Sequence, residues 1–239
     1  MKKNDISQQG ERSLAARSKS SGSEIDAFLK QAKQLAPAQD AARGRLIFAL
    51  DATMSRQATW DIACALQGEM FSAAASVGDL SVQLVYFRGH RESRASRWVN
   101  SAEGLRVLME KIDCRGGRTQ IAKVLSHAKQ EAEKQPLAAL VYVGDSMEEN
   151  IDELCEIAGE LGLRGVKAFV FHEGRDAHAE IAFREIARLT GGVYLPFDSN
   201  SAEDLKALLA AVATYAAGGR KALEVAGDAT SKRLLADLR

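Results

Sequence analysis

LIFALDATMS, residues 46–55, is the stretch on which the fold turns. Leu46 to Leu50 run without a polar alternate, the pattern of a strand buried on both faces rather than one. The run stops at Asp51, and Thr53 and Ser55 follow at alternate positions, so three oxygen-bearing side chains leave the strand end together. More short runs rich in β-branched and aromatic residues follow: VQLVYF (82–87), ALVYV (139–143), VKAFVF (166–171) and VYL (193–195). Between them apolar residues recur at helical steps of three and four. The stripes are Ala63, Leu66, Met70, Ala73 and Val77; Leu105, Leu108 and Ile112; Ile121, Leu125, Ala128 and Ala132. They continue as Ile151, Leu154, Ala158 and Leu161; Ala182, Ile186 and Leu189; and Leu205, Leu208, Val212 and Tyr215. Buried strands alternating with amphipathic helices predict a three-layer α/β/α fold around a mostly parallel sheet.

One segment breaks the rhythm. FRGHRESRASRWV (87–99) is too short for a crossover helix and reads as a hairpin into a charged, antiparallel edge strand. Arg88, Arg91, Arg94 and Arg97 dominate it. Charge on an edge strand blocks pairing with other molecules, which is the preferred reading; the other is a patch for an acidic partner.

The bulk numbers agree with one domain. The chain has 239 residues, 46% of them apolar, and Lys plus Arg equals Asp plus Glu at 32 each. Balanced charge gives no push towards nucleic acid or a membrane surface, and neither is expected as a partner. Cys64, Cys114 and Cys155 form no CxxC pair, which suits a reducing compartment better than a disulfide framework or a zinc site. The opening residues are polar, without the apolar core of a secretory signal, and no apolar run is long enough to span a bilayer. A soluble, cytoplasmic protein is expected. Residues 1–22 are expected to be a disordered polar tail, 23–44 a short helix and linker, 45–217 the domain, and 218–239 a tail whose structure the sequence leaves open.

In open α/β sheets ligands collect beyond the carboxyl ends of the strands, so the residues after each run carry the functional reading. Besides Asp51, Thr53 and Ser55 there is Gly144-Asp145-Ser146 after the run at 139–143, and Gly116-Gly117-Arg118-Thr119 before a helical stripe. Two carboxylates and three hydroxyls suit a hard cation, Mg²⁺ with Mn²⁺ as a substitute, which takes oxygen ligands and fills the remainder with water.

In this order and spacing the residues resemble the von Willebrand factor type A family and its metal-ion-dependent adhesion site. That site has a D-x-S-x-S loop, a Thr after a glycine pair and an Asp after the fourth strand. The resemblance covers about residues 45–217 and implies a Rossmann-like sheet of six strands in order 3-2-1-4-5-6. It implies that Asp51, Thr53, Ser55, Thr119 and Asp145 hold the metal, and that an Asp or Glu of a partner protein completes the shell. It implies a non-enzymatic interaction module, working beside a partner such as an AAA+ ATPase or chaperone-like protein. Thr53 stands where Ser is usual, Arg118 where a third Gly is frequent, and Ser146 where Gly is frequent.

Two alternatives are weighed. Asp51-x-Thr53 with Gly144-Asp145-x-x-x-Glu149 also resembles a haloacid dehalogenase-like phosphotransferase, with Asp51 as nucleophile and Lys123 or Lys129 as its lysine. A scaffold that keeps the fold without bound metal is the other. A dinucleotide site is excluded because the loop after the first strand lacks glycine, and no GxxxxGK[ST] occurs. His172, Asp176 and His178 fall on the same rim and are read as a solvated loop, not as a second metal site. Glu148, Glu149, Asp152, Glu153 and Glu156 are read as acidic residues favouring the start of their own helix, and Cys64 and Cys155 as small core side chains.

Overall fold

The computed structural model describes residues 44–197 and 202–239. The expected tail (1–22) and helix and linker (23–44) lie outside the described residues, except for Gly44, which opens the first strand. The elements run β1 (Gly44–Asp51), a 3₁₀ turn (Met54–Arg56), α1 (Gln57–Ala74), β2 (Leu80–Arg88), β3 (Glu92–Val99), α2 (Ala102–Met109) and α3 (Ile121–Lys134). They continue as β4 (Ala139–Gly144), α4 (Ile151–Leu163), β5 (Lys167–Glu173), α5 (Ala177–Thr190), β6 (Val193–Phe197), α6 (Ala202–Ala226) and α7 (Ala229–Asp237).

The six strands lie in the order β3-β2-β1-β4-β5-β6. Among the described residues only β3 runs antiparallel, at the edge; the other pairings are parallel. The order is the one that the resemblance implies, and the antiparallel edge is the one expected of the 87–99 hairpin. β1 is central, and the alternation of its side chains serves two cores. Leu46, Phe48 and Leu50 pack with α1, α2, α6 and α7 on one face. Ile47 and Ala49 pack with α3, α4 and α5 on the other. Each fully buried Leu, Ile or Phe contributes roughly 2 kcal/mol of transfer free energy, which is why LIFAL carries no polar alternate.

Register fixes where the functional rim lies. Leu50 pairs with Val143, so Asp51 and Asp145 leave neighbouring strands at the same end of the sheet. At the opposite end a polar clamp holds the edge strand. Arg45 pairs with Glu131 at 2.7 Å, the Trp98 indole N–H donates to the same carboxylate at 3.0 Å, and the Arg45 guanidinium lies 4.0 Å over the Trp98 ring.

Residues beyond 217 fold as part of the domain. α6 is broken at Gly219, whose φ of 68° and ψ of −164° are open to glycine and costly for other residues. The chain then turns into α7, and Leu223, Leu234 and Leu238 enter the same core as α1 and α6. Arg220 closes the turn by donating to the Leu238 carbonyl at 3.0 Å. No helix among the described residues is long and apolar enough to cross a membrane.

Candidate metal centre

The turn after β1 is wound by its own side chains. Asp51 is buried, and its Oδ1 accepts the Thr53 N–H at 2.7 Å, bending the chain into the 3₁₀ turn. That bend brings the Thr53 and Ser55 hydroxyls to 3.2 Å of each other, and the Ser55 hydroxyl donates to Asp145 Oδ2 at 3.1 Å. The loops leaving β1 and β4 are thereby joined.

Thr119 comes in from a third segment. The 116–118 loop lies on the β2–β3 turn, where Arg118 N–H donates to the Gly89 carbonyl at 3.0 Å. A Cβ at Gly117 would sit 2.3 Å from the Gly89 backbone, so only glycine permits this approach. Thr119 is buried and exchanges two bonds with Glu148: its hydroxyl accepts the Glu148 N–H at 3.0 Å, and its N–H donates to Glu148 Oε2 at 3.3 Å. The Thr119 oxygen keeps a second lone pair for another partner.

A pocket of about 180 Å³ opens among these segments, lined by Asp51, Thr53, Ser55, Gly117, Thr119 and Glu148, with Met54, Gly116 and Ser146 beside them. Asp145 reaches its rim through Ser55. Among the described residues no three His, Cys, Asp or Glu side chains cluster as a metal site. The five expected residues supply two carboxylates and three hydroxyls here, with Glu148 and Ser146 beside them, an all-oxygen set that fits Mg²⁺ or Mn²⁺.

Several residues act otherwise than the sequence suggests. Glu148 lines the pocket, and Glu149 caps a neighbour's helix: its Oε1 accepts the Ala122 N–H at 2.9 Å, and its Oε2 that of Ile121. α4 is capped by Asn150. The contacts of Glu148 and Glu149 span 27 to 29 residues and leave no local mark in the sequence. His172 is not in a solvated loop. It is buried near the end of β5, shares a 2.8 Å hydrogen bond with the Tyr194 hydroxyl and meets Phe183 edge-on. Burial holds its pKa below the usual value. Asp176 caps α5, accepting from His178 N–H and Ala179 N–H. Cys64 and Cys155 are only half-buried, while Cys114 is buried. Burial pushes the Cys64 thiol up to about 11.

No family model matches the chain, and no curated protein matches it. Solved structures do. A von Willebrand factor type A protein from Catenulispora acidiphila superimposes with a TM-score of 0.56 at 16% identity, over 72% of this chain and 43% of that one. The SpRpn10 VWA domain matches with a TM-score of 0.55 at 11% identity, over 68% and 93%. The human COPII-coat protein Sec24c matches with a TM-score of 0.55 at 14% identity, over 72% and 32%. The chain thus spans less than half the length of the Catenulispora and COPII proteins. At these identities the likeness establishes the fold, which is that of von Willebrand factor type A domains.

Proposed function

We propose that this chain is a divalent-metal-dependent protein-interaction module that captures an Asp or Glu side chain of a partner. The observation that carries the reading is the Thr53–Ser55–Asp145 chain of hydrogen bonds beside the Thr119 pocket, which gathers oxygens from three separate loops. Asp51, Thr53, Ser55, Thr119 and Asp145 are the residues that would hold Mg²⁺. When bound, the ion would supply an electrophilic point for a carboxylate, because three of the five donors are neutral. Asp51 and Asp145 supply the negative charge, the hydroxyls supply oxygen without cancelling the cation, and Glu148 holds Thr119 in place.

The module is read as non-enzymatic. For a phosphotransferase a lysine has to reach the pocket, yet Lys123 donates to the Arg91 carbonyl at 2.9 Å and to Gln120 Oε1, and Lys129 pairs with Glu160. The cytoplasm is the expected setting, where its three free thiols stay reduced. A second reading, a scaffold without metal, is favoured by one feature: Ser55 and Thr119 already find hydrogen-bond partners within the protein.

Calorimetry of the full chain with Mg²⁺ and Mn²⁺ separates the two. Wild type is expected to give a saturable one-site heat, and Ser55→Ala to weaken it about tenfold or more. The Ser55 side chain is exposed, so the variant should keep its urea midpoint. No saturable heat from wild type would favour the scaffold, and equal heats from wild type, Ser55→Ala and Asp51→Asn would discredit this site.

A further inference from the structure

The candidate pocket has two unlike flanks. On one side stand Asp145 and Glu148, in the segment between β4 and α4. On the other, the β2–β3 turn, the 115–118 loop and the first turn of α3 meet, and they carry Arg91, Arg118 and Lys123. Hydrogen bonds hold these three segments together: Arg118 N–H donates to the Gly89 carbonyl, and the Lys123 ammonium donates to the Arg91 carbonyl at 2.9 Å. Arg91 and Arg118 are exposed.

Two carboxylates of the β2–β3 turn and the 113–115 segment have arginine neighbours of their own. Glu92 is held by Arg88 and Arg94, each at 3.0 Å, and Asp113 lies nearest Arg115 at 4.0 Å. Among the described residues Arg91, Arg118 and Lys123 form no ion pair. Next to them a groove of about 350 Å³ runs between β3 and α3, with Arg94, Lys123 and His127 in its walls and Glu153 of α4 at its side. A cation is favoured on the acidic flank and further negative charge on the basic one, so the two flanks give an incoming chain a direction.

We infer that the partner presents an acidic segment, several Asp or Glu in succession. One carboxylate goes to the Asp51–Asp145 site, and its neighbours go to Arg91 and Arg118 and on towards the β3–α3 groove. This rests on the metal-dependent function proposed above and names the chemistry of its partner. Arginine suits the task because its planar fork takes a carboxylate through two parallel hydrogen bonds.

The test uses two fluorescein-labelled peptides, GSEEEEEESG and GSGSEGSGSG, and the full chain in Mg²⁺ or chelator at ~50 mM and ~300 mM salt. The multi-acid peptide is expected to bind on the order of tenfold or more tightly than the single-acid one in Mg²⁺ at low salt, the gap narrowing at high salt. Arg91→Ser/Arg118→Ser should close most of that gap while the Mg²⁺ heat stays saturable and one-site. Equal binding of both peptides in Mg²⁺, or a gap indifferent to the double variant, overturns the inference and leaves the metal reading standing. A ten-nucleotide deoxythymidine oligomer binding as tightly as the multi-acid peptide also overturns it, since the face would then take phosphate. Binding equal in Mg²⁺ and chelator, with no Mg²⁺ heat, overturns both, and the missing heat identifies the metal reading as the failure.

Discussion

In a Gly117→Ala variant the new methyl group would lie 2.3 Å from the Gly89 N and O, where ordinary contact needs about 3.5 Å. Both atoms are backbone of the β2–β3 turn, so no side chain can swing aside, and the 116–118 loop has to lift by roughly 1 Å. The φ of Gly117 is not in the left-handed range, so the clash is what drives the shift. Lifting the loop weakens the Arg118 N–H bond to the Gly89 carbonyl, worth about 1 kcal/mol, and adds a modest overpacking cost. The sum is about 1–2 kcal/mol, or a fall of roughly 3–6 °C in Tm for a domain of this size. Thr119 moves with the loop, so Mn²⁺ affinity should fall about ten- to a hundredfold, as when the groups that orient metal ligands are disturbed. Gly116→Ala is the control, because a Cβ there meets no atom within 4 Å. It should stay within about 0.5 kcal/mol of wild type. Calorimetry with Mn²⁺ and thermal melts of the two variants measure both effects. If Gly117→Ala melts and binds as Gly116→Ala does, the close approach of the loop to Gly89 is not what positions Thr119.

Glu92 carries a pH signature: the Arg88 guanidinium hydrogen-bonded to it holds its carboxyl down from 4.5 to about 2. Because the folded value is the lower one, this stabilisation is complete above about pH 4.5 and fades as pH falls towards 2, so the advantage of wild type over Glu92→Gln in urea melts should shrink across that window. An advantage constant down to pH 2 would contradict the pairing. Glu149→Gln removes a negative charge from the start of α3 and should cost about 0.5–1 kcal/mol, with faster hydrogen exchange at the Ile121 and Ala122 amides. Unchanged exchange there would show that Glu149 is not the cap. Leu234→Ala, at a side chain with no exposed surface, should lose about 2–4 kcal/mol in urea unfolding, and a loss below ~0.5 kcal/mol would mean that α7 does not share the domain core.

The sheet was readable because its strands are short apolar runs separated by helical periodicity, and LIFAL at the centre has side chains on both faces that demand cover. The edge strand was readable from the opposite cause, since RESRASR cannot be buried. What escaped reading depends on partners distant in sequence. His172 belongs to a strand that runs on past its apolar stretch, and Tyr194, on the adjacent strand, satisfies it. Glu149 looks like the start of its own helix but caps α3. The segment after Gly218 carries only a weak apolar stripe, yet Leu223, Leu234 and Leu238 anchor it once Gly219 redirects the chain. At the site, strand ends and turn residues named the oxygens, but only the register of β1 against β4 brings Asp145 to Ser55, and Glu148 enters through a loop whose path is set by Thr119.

A crystal soaked in Mn²⁺, with diffraction recorded at the manganese edge, tests the site itself. One anomalous peak is expected, among Asp51, Thr53, Ser55, Thr119 and Asp145 and absent from Ser55→Ala crystals. A peak elsewhere, or none at saturating Mn²⁺, would contradict the metal-dependent function proposed for this fold.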